Sequence, residues 1–258
     1  MRSPESGGAL GDAGGQAAVA PGVLAAPDAV FAPVRSQTAF EETVDRLATA
    51  IKLGLIAPGA QLPAERELCA RLGIARSTLR QALTALTQSG HVFATRGRGG
   101  GTFVSDPQPP ADPPSQEVLA QWRETCDQRL AIELGVAVLA AERAERGDLD
   151  SLDEVARALE GATEDFGAYR QADIRLHVGL AEATGSDRLV REMTEAQGAM
   201  SDLIGYIAHP PAVLASSNVQ HRQLLAAVRE RDGMRAMRVM SEHVQATEHI
   251  LAGLLPRG

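Results

Sequence analysis

The sequence predicts a mainly α-helical protein in two parts, an N-terminal winged helix-turn-helix module and an all-α bundle joined to it by a proline-rich linker. Three observations lead there. Hydrophobic residues make up 44% of the 258-residue chain and aromatics only 3%, so the core must be built from Ala, Leu and Val on close-packed helices rather than from an aromatic-rich sandwich. Apolar residues recur at helical spacing along most of the chain, with a short β-like pair in one place. The run from Asp106 to Pro114 holds five prolines in nine residues, a composition that gives an extended, stiff connector.

Charge divides along the same line. Residues 35–105 carry nine Lys/Arg against five acids, whereas residues 106–258 carry fifteen Arg against twenty-five acids. A basic module attached to an acidic one suits a protein in which only the first part meets a polyanion. No run of about 18 apolar residues occurs, which excludes a helical membrane span. Cys69 and Cys126 stand singly, so neither a zinc ribbon nor a disulfide framework is expected, and a reducing cytoplasm fits.

Residues 1–34 are rich in Ala, Gly and Pro without a helical or strand period and read as a disordered tail. A secretory signal is set aside because Glu5, Asp12 and the glycines around them interrupt any apolar core. The segment 35–105 reads as three helices and a hairpin. Thr38 can cap a first helix carrying Phe40, Val44, Leu47, Ala48 and Ile51 on one face. Pro63 suits the start of a second helix that buries Leu68, Cys69 and Leu72 and ends at Gly73. A third runs from Ser77 or Thr78 to Ser89 with Leu79, Ala82, Leu83 and Leu86 inward, and Gly90 closes it. Two β-like runs, 91–95 and 102–104, flank the glycine-rich tip Arg96–Gly101.

Two helices joined by a tight glycine turn and followed by a hairpin describe a winged helix-turn-helix, whose second helix enters the DNA major groove. Arg76 and Arg80 share one face of that helix, opposite the leucines, and are placed to reach guanine O6 and N7. Arg66 opens the preceding helix, Ser77 and Thr78 can donate to phosphates, and a wing with Arg96, Arg98 and Gly99 can lie against the backbone or the minor groove.

The runs Leu62-Pro63-Ala64-Glu65-Arg66-Glu67-Leu68, Leu72 to Leu83 and Gly97 to Val104 resemble the DNA-binding domain of the GntR family of bacterial regulators. The resemblance implies the same DNA-contacting roles for Arg66, Arg76, Ser77, Thr78, Arg80 and the wing glycines. Three positions depart from the family pattern: Ala64 and Ala75 stand where a hydroxyl is frequent, and Gln81 where Glu is frequent.

Residues 106–116 are the linker, and residues 117–255 read as six or seven helices punctuated near Gly147, Gly161, Gly185, Pro210-Pro211 and Gly233. Four polar residues interrupt apolar stripes. Asp173 and His177 lie i, i+4 among Phe166, Tyr169, Leu180 and Thr184; His221 begins the stripe Leu224, Leu225, Val228; His243 lies with Ala236, Val239, Ala246 and Ile250. Converging in a bundle, three imidazoles and one carboxylate would suit a divalent transition metal. A histidine on an apolar stripe is more often a hydrogen-bonded core residue, so spacing alone leaves both readings open.

The segments Arg129 to Glu133, Asp173 to His177 with Ala181 to Gly185, His221 to Val228 and Ala236 to His243 are similar to the FCD ligand-binding domain of the FadR-like subfamily. Many such domains bind a metal through one Asp and three His, and the match falls on Asp173, His177, His221 and His243. Zinc is the expected metal, with nickel or manganese as alternatives. Ser186 stands where an Asn is usual, at a helix start rather than at a ligand.

Arg129 is the candidate partner for a small carboxylate beside the metal, with an ion pair to Glu133 as the competing role. The expected protein is therefore not an enzyme but a cytoplasmic homodimeric transcription regulator on a palindromic double-stranded operator. Its expected sign is repression relieved by a small organic acid. A metal-dependent all-α enzyme and a regulator with a purely structural metal remain the rival readings.

Overall fold

The computed structural model describes residues 38–97, 99–106, 116, 120–205 and 209–254. The expected tail at 1–34, Arg98 and most of the expected linker, residues 107–115, lie outside the described residues.

The head is built as its caps and turns require. Helix α1 (Ala39–Lys52) opens on a capping box in which the Glu41 amide donates to Thr38 Oγ1 at 3.2 Å and the Thr38 amide donates to Glu41 Oε2 at 2.7 Å. Helix α2 (Glu65–Leu72) ends at Gly73, whose φ of 67° is the left-handed C-terminal conformation that lets the chain turn at once into α3 (Arg76–Gln88). Gly73→Ala is expected to cost about 1–2 kcal/mol, because no clash meets the added methyl but the backbone conformation disfavours it; thermal denaturation checks this.

Strands β1 (Val92–Thr95) and β2 (Gly101–Val104) pair antiparallel with Val92 opposite Val104 and Thr95 opposite Gly101. Gln61 bridges to Phe103 on the far side. Leu47 and Ile51 of α1, Leu68 of α2, Leu79, Leu83 and Leu86 of α3, with Val92 and Val104, form one core. Two boundaries differ from expectation. The chain enters α2 after Ala64 rather than at Pro63, and α3 begins at Arg76, which stands at its first turn.

Six helices follow among the described residues: α4 (Trp122–Arg143), α5 (Arg146–Gly161), α6 (Phe166–Glu182), α7 (Asp187–Ile204), α8 (Pro211–Arg229) and α9 (Gly233–Leu254). Ser186 caps α7 by accepting from the Leu189 amide, and Pro211 occupies the first turn of α8, where its missing N–H costs nothing. Long α4 packs against α9, α7, α8 and α6. Close approach is possible because Ala137, Ala140 and Ala141 of α4 are fully buried against neighbours such as Leu176, Leu180 and Leu224. This small-residue packing is what the scarcity of aromatics required. No described helix is long and apolar enough to cross a membrane.

Candidate functional site

On the head, α3 turns Leu79, Ala82, Leu83 and Leu86 into the core, so Arg76, Ser77 and Arg80 are exposed and Thr78 is half-buried. Arg66, the second residue of α2, is exposed as well, as are Arg96 and Gly99 on the wing. The N-cap residues of α2 and α3 are Ala64 and Ala75, and neither provides a side-chain cap. These two of the three departures from the family pattern therefore leave the first-turn amides without a side-chain competitor.

Sequence reasoning missed one contact here. Arg80 Nε lies 3.0 Å from Glu65 Oε2, so the start of α2 holds the arginine of α3 through its Nε edge. The wing tip requires glycine at defined points. Gly97 and Gly99 have φ of 99° and 84°, and a Cβ on Gly100 would stand 2.5 Å from Thr95 O.

In the bundle the four expected ligands come together. Asp173 and His177 project from α6, His221 from α8 and His243 from α9; all four are buried, and each offers a ligand atom within 4.8 Å of the others. The His177–His221, His177–His243 and His221–His243 ring centroids are 5.6, 5.2 and 4.5 Å apart. Asp173 Oδ1 stands 3.4 Å from His221 Nε2 and 3.7 Å from His177 Nε2. His177 Nε2 and both nitrogens of His221 are buried without a hydrogen-bond partner. Orphaned buried nitrogens are costly in a settled core and are what a cation would satisfy, so the donor set fits a divalent transition metal. His243 is oriented from behind: its Nδ1 faces Gln220 Oε1 at 3.2 Å.

A second layer of charge surrounds this set, and most of it was not anticipated. Fully buried Glu133 on α4 places Oε2 2.6 Å from His177 Nδ1 and accepts from Arg129 Nε at 2.6 Å and from Gln197 Nε2 at 2.9 Å through Oε1. Arg170, three residues before Asp173, donates to Asp173 Oδ2 at 2.6 Å and through Nη2 to Gln197 Oε1 and Ser201 Oγ at 3.0 and 2.9 Å.

Burial opposes the charged form of His177, but the carboxylates of Glu133 and Asp173 outweigh it and lift its pKa to about 9. His221 is lowered to about 4, chiefly by burial. His243 is also lowered, by burial and by the neighbouring imidazoles. Burial would raise Asp173, yet His177 and Arg170 hold it well below the usual carboxylate range.

Asp173 and His243 also line a cavity of about 330 Å³. Arg129 and Arg170 border it, with Tyr169, Ser217 and Gln220 as further polar groups and Phe166, Ile204 and Leu214 as apolar wall. Of the two roles considered for Arg129, the ion pair is present, since its Nε donates to Glu133; its buried Nη1 has no hydrogen-bond partner. His209 stacks on Phe166 with ring centroids 3.7 Å apart and borders the same cavity. Ala246, expected on the buried stripe of His243, is instead exposed toward this space. His249 is exposed. The side chain of Ile250 lies outside what the structure describes.

A winged helix-turn-helix head on a helical domain with a cavity bordered by two arginines defines a DNA-binding regulator with an effector-binding domain. Residues 40–104 match the family described as "Bacterial regulatory proteins, gntR family", and residues 124–246 match the FCD domain. RmpR of Mycobacterium gastri, assigned as an HTH-type transcriptional regulator, is 34% identical over 78% of this chain and 76% of its own length. The protein assigned as the L-lactate dehydrogenase operon regulator of Escherichia coli (strain K12) is 30% identical over 79% and 83%, respectively. The HTH-type transcriptional regulator LutR of Bacillus subtilis (strain 168) is 26% identical over 79% of this chain and 96% of its own. The solved structure of E. coli McbR/YncC shares the fold, with a TM-score of 0.54 at 21% identity over 84% of this chain and 99% of that one.

The chain belongs to the GntR family of bacterial transcription regulators, with a C-terminal FCD effector-binding domain, and the pairing fits the FadR-like subfamily. The relatives named here are regulators, not enzymes.

Proposed function

We propose that this regulator is controlled by a divalent metal and a small carboxylate bound together in its FCD domain. The observation that carries this reading is the cluster itself: one carboxylate and three imidazoles within 4.8 Å, with orphaned nitrogens, at the edge of a cavity bordered by two arginines. Asp173, His177, His221 and His243 would hold the metal, zinc in first place and nickel or manganese as alternatives, and the metal would supply a Lewis-acidic point for one carboxylate oxygen. Arg129 Nη1 pairs with the remaining charge. The relative named for an L-lactate dehydrogenase operon is consistent with a small organic acid as the ligand class.

On the head, Arg76 and Arg80 read base edges, Arg66, Ser77 and Thr78 fix the phosphates, and the wing with Arg96, Arg98 and Gly99 follows the backbone. The protein acts in the cytoplasm as a homodimer, because two recognition helices matched to a palindromic operator require two-fold symmetry. Ligand binding shifts the spacing of those helices and relieves repression.

The test measures operator binding by fluorescence anisotropy on the chain's own upstream intergenic DNA, with metal-stripped protein, with zinc, and with zinc plus a panel of carboxylic acids. The expected result is a change of about 5- to 150-fold in operator affinity with zinc plus one acid, lost in His221→Ala. If chelation lowers the melting temperature but no acid moves operator affinity, the metal is structural and the control reading falls.

A further inference from the structure

Helix α7 touches two different modules on adjoining stripes. On one stripe Gln197 and Ser201 grip Arg170 of the effector site, and Gln197 also holds Glu133. One residue further along in each case, Gly198 and Asp202 face the DNA-binding head. A Cβ on Gly198 would stand 3.0 Å from Thr49 Cγ2 of α1, and Asp202 forms an ion pair with Lys52 at the end of the same helix. Helix α6 makes a parallel contact. Gln171, the neighbour of Arg170, lies against Gly54 so closely that a Cβ there would be 3.2 Å from Gln171 Cδ. Between Lys52 and Gly54, Leu53 is 1% exposed and belongs to the core of the bundle rather than to that of the head.

Away from these tight points the α1–α7 contact opens into a cavity of about 410 Å³, with Arg46 and Ala50 on one side and Arg191 and Glu195 on the other. A junction pinned at one end and open at the other leaves α1 room to pivot. Successive helical residues lie 100° apart, so a rotation or shift of α7 that follows Arg170 moves Gly198 and Asp202 with it. Close-packed interiors pass such displacements on rather than absorb them.

We propose that α7, assisted by Gln171 of α6, is the element through which the effector site sets the position of the recognition helix. A ligand that takes Asp173, the ion-pair partner of Arg170, releases or redirects that arginine. Its grip on Gln197 and Ser201 then changes, and Gly198 and Asp202 carry the change to α1, against which α3 is packed. The inference rests on the reading of the cluster as the controlling site.

The experiment uses the full-length chain, metal-stripped or loaded with zinc alone, since zinc would engage Asp173 directly. Hydrogen exchange of the α1, α6 and α7 peptides and operator anisotropy are followed in wild type, Asp202→Asn, Gly198→Ala, and the charge-swapped pair Lys52→Asp with Asp202→Lys. None of these residues touches the cluster or the proposed DNA contacts. In wild type, zinc is expected to alter exchange in all three helices and to change operator affinity. In Asp202→Asn, zinc affinity, metal-free operator affinity and the α6–α7 response should match wild type. The α1 response should be lost, and the zinc-dependent factor should shrink by about 2- to 30-fold, with recovery in the swapped pair. If Asp202→Asn and Gly198→Ala both keep the α1 response and the full zinc effect, α7 is not the coupling element. If zinc binds wild type but neither α1 nor operator affinity responds to zinc alone or to zinc with the panel of carboxylic acids, the controlling role of the cluster falls first and the inference with it.

Discussion

Arg76→Ala is expected to weaken operator binding by about 30-fold to more than 10⁴-fold while leaving the melting temperature nearly unchanged. Each bidentate arginine–guanine contact contributes about 1–3 kcal/mol of discrimination, and the proposed dimer would lose two of them. The side chain is exposed on the first turn of α3, away from Leu79 and Leu83, so its removal opens no cavity. The informative comparison is with a scrambled duplex. A base-reading arginine loses affinity for the operator and much less for the scrambled DNA, whereas a phosphate-contacting one weakens both alike and lowers the salt slope by about one per protomer.

Arg80→Ala should behave differently, because Arg80 Nε is held by Glu65 Oε2 at 3.0 Å. Removing the arginine leaves that carboxylate facing the polyanion without its partner. Beyond the operator-specific loss expected of a base-reading arginine, a second loss should therefore appear on both duplexes, and adding Glu65→Gln should recover that second part. Equal behaviour of Arg76→Ala and Arg80→Ala on both duplexes would show that neither reads bases.

The difference between these two arginines marks the limit of what spacing could convey. Helical period placed Arg76 and Arg80 on one face and the leucines on the other, and the caps at Thr38 and Gly73 were readable because their chemistry is local. The Glu65–Arg80 pair depends on how α2 crosses α3, which no period within one helix encodes. The buried Asp/His cluster divides in the same way. Asp173 and His177 announce themselves as an i, i+4 pair, and the histidines of α8 and α9 as polar breaks in apolar stripes. That they converge follows from the packing of α6, α8 and α9 around α4.

Arg170 lies at i, i+3 to Asp173, and Glu133 at i, i+4 to Arg129, so both spacings were present in the sequence. What was absent is the knowledge that α4 passes behind His177, which turns a routine helical ion pair into the support of the site. Gln197 and His209 give no local signal at all, since a glutamine within a helix and a histidine before prolines have many uses. The N-caps Ala64 and Ala75 are the reverse case, because the missing hydroxyl was visible at once and the structure shows the consequence at both helix starts.

Glu133→Gln is expected to be the most damaging single change in the bundle that leaves every proposed metal ligand in place. The amide keeps the shape but removes the charge that Arg129 Nε and His177 Nδ1 both approach at 2.6 Å. Breaking one partner of a buried ion pair costs about 3–5 kcal/mol, because the other charge stays buried without compensation. Metal affinity should fall by about 10- to 100-fold as His177 loses the carboxylate that orients it and raises its basicity; competition titration with a chromophoric chelator measures it.

The pH dependence separates this from general loosening. In the metal-stripped wild type the Glu133 and Asp173 carboxylates push His177 up from the ordinary 6.5 to about 9, so the stability it contributes is full below 6.5 and is lost as the pH rises through about 9. His221 is shifted the other way, to about 4, so its contribution grows as the pH rises from about 4 to 6.5. The chelated wild type should therefore gain melting temperature up to the neutral range and lose it again toward pH 9. In Glu133→Gln the alkaline decline should largely vanish, because the first carboxylate that keeps His177 protonated is gone. If the variant melts lower by the same amount at every pH from 6.5 to 9.5 and binds zinc as wild type does, Glu133 supports packing alone and has no hold on His177.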